Sequence, residues 1–110
     1  MDTKQMEQTV MAICHRHQWI LNPQSDLNKV TEELGEVCRE VRRIEEGRER
    51  PDEIEPHDEV IKAHIAEEIG DVLFPLIKVL KYYGLSLEDA FLAHQQKMAE
   101  RYQKEEKEDA

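Results

Sequence analysis

Two acidic runs, Glu32-Glu33-Leu34-Gly35-Glu36 and Glu67-Glu68-Ile69-Gly70-Asp71, repeat one chemical device along the chain. Glu33 with Glu36, and Glu68 with Asp71, are spaced three residues apart. On a helix that spacing sets each pair about 60° apart around the axis, so both carboxylates of a pair can converge on one point. Either run alone is weak evidence, because solvent-facing acidic helices produce such pairs routinely. Here each pair borders apolar residues, Leu34 and Val37 in the first and Ile69 and Val72 in the second. Packing the two segments together therefore brings four carboxylates close to one another near a core. Like charges at that range are costly unless a cation neutralises them or their pKa values rise. Two divalent ions would balance the four charges, and an all-oxygen ligand set selects Mg²⁺, with Mn²⁺ as a substitute, over zinc. A di-iron carboxylate centre is the natural competitor, but it relies on Glu-x-x-His pairs, and no Glu here is followed three residues later by His.

The elements that must carry these runs are helices. Leu27, Val30, Leu34, Val37, Val41 and Ile44 recur at spacings of three and four, one helical stripe. This predicts a helix over 24–46, opened by Asn22-Pro23 and stopped near Gly47. Ile61, Ile65, Ile69, Val72, Leu73, Leu76, Ile77 and Leu80 predict another from about His57 to Tyr83, closed by Gly84. It is the most apolar segment and is expected to be central. Pro75 within it withholds a hydrogen bond from the Asp71 carbonyl. Met6, Val10, Ile13 and His17 mark a weaker helix from about Asp2 to Trp19. Ser86-Leu87-Glu88-Asp89 reads as a capping box, with Asp in place of Glu or Gln, that opens a last helix with Leu87, Phe91, His94, Met98 and Tyr102 on one face. His94 is expected to be a satisfied core residue. No segment alternates with period two for long enough to be a strand. The expected architecture is an all-α four-helix bundle.

Composition limits what such a bundle can be. The chain has 110 residues, a net charge of −10, 36% charged and 39% hydrophobic residues. It is expected to form a single domain over 1–110 with too little apolar surface for a closed monomeric core, so that oligomerisation completes the bundle. Much of the acidity lies in a charged loop, 45–58, and in an acidic tail expected to be disordered from about 103 to 110; the loop is either a solvated linker or a lid. Net acidity excludes nucleic acid and anionic membrane as partners, both of which require clustered Lys and Arg. The first residues have no apolar signal core, and the longest apolar run, Val72 to Ile77, is too short to span a bilayer, so a cytoplasmic location is expected. Cys14 and Cys38 form no disulfide framework, and Cys38, between Val37 and Val41, is read as a buried thiol. Cys14-His15-Arg16-His17 is no metal site, since adjacent positions on a helix point in different directions.

The order EELGE on one helix and EEIGD on the next resembles the MazG-like all-α nucleoside triphosphate pyrophosphohydrolases, whose pattern is EExxE followed by ExxD. The resemblance extends from the first helix through Lys97-Met98-Ala99-Glu100-Arg101-Tyr102. It implies Mg²⁺-dependent hydrolysis of an NTP or dNTP to the monophosphate and pyrophosphate, in nucleotide-pool sanitation, by a homodimer or homotetramer. It also implies that Glu33, Glu36, Glu68 and Asp71 are metal ligands and that Glu32 activates water. Lys97 and Arg101 then bind substrate phosphate, although Arg101 stands where many members have Asn. Trp19, the only tryptophan, stacks on the nucleobase or serves a core or interface. The residue chemistry agrees with this, since a polyanionic triphosphate approaches four carboxylates only when cations intervene. The alternative is a noncatalytic helical module that binds nucleotides or partners.

Overall fold

The computed structural model describes residues 1–47, 51–52 and 57–109, with side chains described as far as residue 103. Four helices follow in order: α1 Thr3–His17, α2 Pro23–Glu46, α3 Asp58–Tyr82 and α4 Leu87–Asp109. No strand occurs among the described residues. Seven residues of the charged loop, 48–50 and 53–56, fall outside the described residues, so its reading as linker or lid does too.

Local chemistry sets the helix ends. Asp2 and Gln5 form a reciprocal capping box, with both hydrogen bonds at 2.8 Å. α1 stops at His17, two residues earlier than expected, because Gln18 turns left-handed (φ 57°) and the Trp19 N–H reaches back to the Cys14 carbonyl at 2.9 Å. That reversal takes Trp19 off the helix and sets its edge against Phe74 of α3, centroids 6.3 Å apart. Asn22 caps α2 by accepting the Ser25 N–H at 3.1 Å, with Pro23 at the first helical position. The box expected at Ser86 and Asp89 is present: the Asp89 N–H donates to Ser86 Oγ at 3.0 Å and the Ser86 N–H to Asp89 Oδ2 at 2.9 Å. α4 runs to Asp109, its last residues 103–109 containing good helix formers and no Gly or Pro to stop it.

α2 and α3 pack as an antiparallel hairpin, and α1 lies against α3. The core joins Val10 and Cys14 of α1 to Ile77 of α3, with Phe74 and Leu87 packed on it. A charged tie closes this end. The buried Glu7 of α1 accepts the Leu87 N–H at 2.7 Å and pairs with Lys81 at 3.6 Å, fixing the start of α4.

The stripe of α2 divides in two. Val30, Val37 and Ile44 turn toward α3, while Leu27, Leu34 and Val41 are 49%, 51% and 43% exposed. Ile69 and Leu73 on α3 and Phe91 and Tyr102 on α4 are also exposed. Cys38 lies on the open side and is exposed, correcting the expected buried thiol, whereas Cys14 is buried. His94 is exposed in this chain as well, because α4 packs little against the other helices. The accessible surface is 8807 Å², against roughly 6,300 Å² for a compact monomer of this mass. The radius of gyration is 18.5 Å, against about 13 Å for a compact domain of this length. No described helix is long and apolar enough to cross a membrane.

Candidate active site

The antiparallel register of α2 and α3 brings the two acidic runs face to face. Carboxylate oxygens of Glu33, Glu68 and Asp71 lie within 4.8 Å of one another. Partial burial holds the Glu68 carboxyl above its ordinary value of 4.5, and the charges of Asp71, Glu36, Glu33 and Glu40 push it the same way. The cluster thus carries more negative charge than its surroundings compensate. Lys29, one turn before Glu33, supplies part of the balance: its ammonium is 3.1 Å from Glu33 Oε1 and 3.9 Å from Glu32. The hydrogen bond and charge of Glu33 in turn raise the Lys29 pKa. Hard oxygen donors, excess negative charge and an entirely polar ligand set fit a Mg²⁺ or Mn²⁺ ion.

Glu36 is outside the convergent group and exposed, and it acts on Glu68 through its charge. The opposing register favours Glu33, which faces α3 over Asp71. Gly35 and Gly70 give no close helix approach, since a Cβ at either would meet nothing within 4 Å.

A cleft of about 690 Å³ opens beside the acids. Glu32, Glu33, Lys29 and Asp71 line one end; Trp19, Asp26, Phe74, Pro75 and Lys78 line the other, with Ser25 and Asn28 on the α2 side. Trp19 is half-exposed, one ring face stacked on His17 with centroids 4.8 Å apart. Its placement at a cleft wall excludes a purely core role. Glu32 projects outward, 70% exposed, at the rim. Lys97 and Arg101 do not line the cleft; both are exposed on α4, with Arg101 Nη1 4.0 Å from Met98 Sδ.

Three charged residues of the cleft were not singled out from the sequence. Lys78 pairs with Asp26 at 2.9 Å, the two side chains being 13% and 9% exposed, and the Lys78 ammonium lies 5.8 Å from the Trp19 ring centroid. Their signal is a spacing of two helical turns: Lys78 follows Asp71 by seven residues and Asp26 precedes Glu33 by seven, so each shares a face with an acid of the cluster. Lys29 is likewise placed by its four-residue spacing from Glu33.

Comparison with known proteins agrees with this geometry. Residues 21–105 match the MazG nucleotide pyrophosphohydrolase domain. The chain is also 44% identical over 72 residues to the uncharacterized protein YvdC of Bacillus subtilis (strain 168), an overlap covering 66% of this chain and 68% of that protein. No solved structure matches it significantly. The match spans most of the chain and contains both acidic runs and every cleft residue but Trp19, and the chain belongs to the MazG nucleotide pyrophosphohydrolase domain family.

Proposed function

We propose that this protein hydrolyses a nucleoside or deoxynucleoside triphosphate to the monophosphate and pyrophosphate, in nucleotide-pool sanitation in the cytoplasm. The observation that carries the proposal is the convergence of Glu33, Glu68 and Asp71, of which Glu33 and Asp71 line a cleft also walled by the half-exposed indole of Trp19. Glu33, Glu68 and Asp71 would hold Mg²⁺, with Glu36 on the flank. An ion held there would supply Lewis-acid chemistry, activating water and offsetting phosphate charge.

The chain's own groups supply the rest. Glu32, at the rim and open to solvent, accepts the proton of the attacking water and passes it on. Trp19 stacks on the base and fixes the distance from base to acids. Lys29 is released from Glu33 as the cluster's charge is met, and its ammonium then faces the phosphates. The surplus accessible surface and the exposed apolar seams on α2, α3 and α4 support a homodimer or homotetramer. In that assembly Lys97 and Arg101 reach the phosphates of a neighbouring subunit's cleft.

The test is a panel of NTPs and dNTPs with Mg²⁺, assayed for pyrophosphate. Release that is lost in Glu68→Gln supports the proposal; orthophosphate released stepwise from the γ end contradicts it. Nucleotide binding without any turnover would favour the noncatalytic module.

A further inference from the structure

Three facing pairs fix how α2 and α3 lie against each other: Asp26 meets Lys78, Glu33 meets Asp71 and Glu40 meets His64. Each step of seven along α2 is matched by a step of seven back along α3, so a single antiparallel register holds over the whole contact. At about 100° per residue, Val30, Val37 and Ile44 lie about 40° round α2 from its row of acids, and Leu27, Leu34 and Val41 about 60° beyond them. On α3, Ile69 and Leu73 are each two residues from Asp71 and so about 160° round the helix from it. The hairpin therefore has an acid face that lines the cleft and, behind it, an apolar one.

Among the described residues no element covers this apolar face: Leu27, Leu34, Cys38, Val41, Ile69 and Leu73 are all exposed. Charge, symmetry and an unexplained glycine select a second copy as its occupant. Each copy carries a net charge of −10, so like copies repel over most of their surface, and these positions carry no charge in a chain that is 36% charged. A two-fold contact needs a surface complementary to itself. α2 runs from Pro23 to Glu46, which puts its midpoint at Leu34 and Gly35 with Leu27 and Val41 seven residues to either side of Leu34. An antiparallel crossing there sets Leu27 on the partner's Val41. Gly35 costs helix stability relative to Ala, and a Cβ on it would meet nothing within 4 Å. At the crossing point its bare backbone lets a second helix approach closely. The area suffices, since the accessible surface exceeds that of a compact monomer by roughly 2,500 Å² and a stable interface takes about 800 Å² from each partner.

Resting on the reading of the protein as a homo-oligomer, we propose that two copies meet through the apolar face behind the acids, α2 crossing α2 antiparallel at Leu34 and Gly35, so that the two hairpins form a four-helix bundle. The partner then packs on Leu34 and Ile69, the chain neighbours of Glu33 and Glu68, and leaves both clefts open on the outer sides.

Cys38 reports on this face, because it is exposed in one chain whereas Cys14, the only other thiol, is buried. Thiol titration with a chromogenic disulfide reagent is paired with sedimentation for the wild type and Leu34→Asp. The wild type should sediment as a multiple of 13.0 kDa. Its Cys38 should react at least about tenfold more slowly than in Leu34→Asp, which should sediment at lower mass with one reactive thiol per chain. Two reactive thiols would show that this variant has unfolded, and cross-linking then decides. In a Cys38→Ser background a short bis-maleimide should join Leu34→Cys to its counterpart. It should not join Leu27→Cys to itself, about 21 Å apart along the axis, but should join Leu27→Cys to Val41→Cys in a mixed sample. A wild-type monomer overturns the homo-oligomer and this face with it. An oligomer in which Cys38 reacts as fast as in folded Leu34→Asp, or which cross-links at Leu27→Cys and not at Leu34→Cys, overturns this face and leaves the homo-oligomer standing.

Discussion

Replacing Glu68 by Gln keeps side-chain size and helix propensity but removes one charge from a cluster whose oxygens lie within 4.8 Å of one another. That separation is well inside the Debye length of about 10 Å at 0.1 M salt, so ordinary buffers do not screen the repulsion away. The raised Glu68 pKa has the same origin, partial burial and then Asp71, Glu36, Glu33 and Glu40. For an acid whose folded-state pKa is raised, the stabilising contribution is complete below the ordinary value and is lost as pH rises through the folded value. At neutral pH the ionised group therefore works against the metal-free fold, and Glu68→Gln should raise the metal-free Tm by a few degrees. Divalent ions reverse the order. A ligand at a hundred times its Kd that binds only the folded state stabilises by about 2.7 kcal/mol, roughly 10 °C for a chain of this length. Wild type should gain most of that shift in Mg²⁺ and Glu68→Gln a small part of it. Differential scanning fluorimetry with EDTA and with a Mg²⁺ series reads both effects on one plate. Identical metal-free melts, together with equal Mg²⁺ shifts in the two proteins, would refute the shared cluster.

Light scattering at micromolar concentration should give a multiple of 13.0 kDa, and Leu34→Asp on the open α2 seam should lower the mass; a wild-type monomer would contradict the need for a partner surface. Glu7→Ala strands the Leu87 N–H and Lys81, and should cost about 2–3 kcal/mol in urea unfolding, with Glu7→Gln recovering part of it; an unchanged midpoint would show that the tie between α1 and α4 is not needed. Asp89 is held below its ordinary pKa of 3.8 by the backbone and hydroxyl of Ser86. Its contribution is therefore present above that value and lost as pH falls through the folded one, so the stability gap between wild type and Asp89→Asn should begin to narrow below about pH 4; a gap that widens there would contradict the cap.

The helix ends were legible because caps are local. Asn22-Pro23, Gly84 and the Ser86–Asp89 box each act within a few residues, so sequence alone places them. The convergence of Glu33, Glu68 and Asp71 was legible from helical period and apolar borders, but not the outlying place of Glu36. Residues 60° apart on one helix are equivalent until the register of the second helix is known. Asp26 and Lys78 escaped for the same reason, since their pairing depends on how α2 slides along α3. Cys38 and His94 were assigned to a core on the premise that every apolar position faces inward within one chain. α2 in fact has two apolar seams, and one chain covers only the first.

The acids and the cleft together should split a triphosphate between its α- and β-phosphates. The most direct measurement is product mass balance with Mg²⁺ and the preferred nucleoside triphosphate, resolved by ion-exchange chromatography for wild type and for Glu68→Gln. The expected result is monophosphate and pyrophosphate in equal amounts from the wild type, and neither from the folded variant. Diphosphate with orthophosphate, or equal yields from wild type and Glu68→Gln, would contradict it.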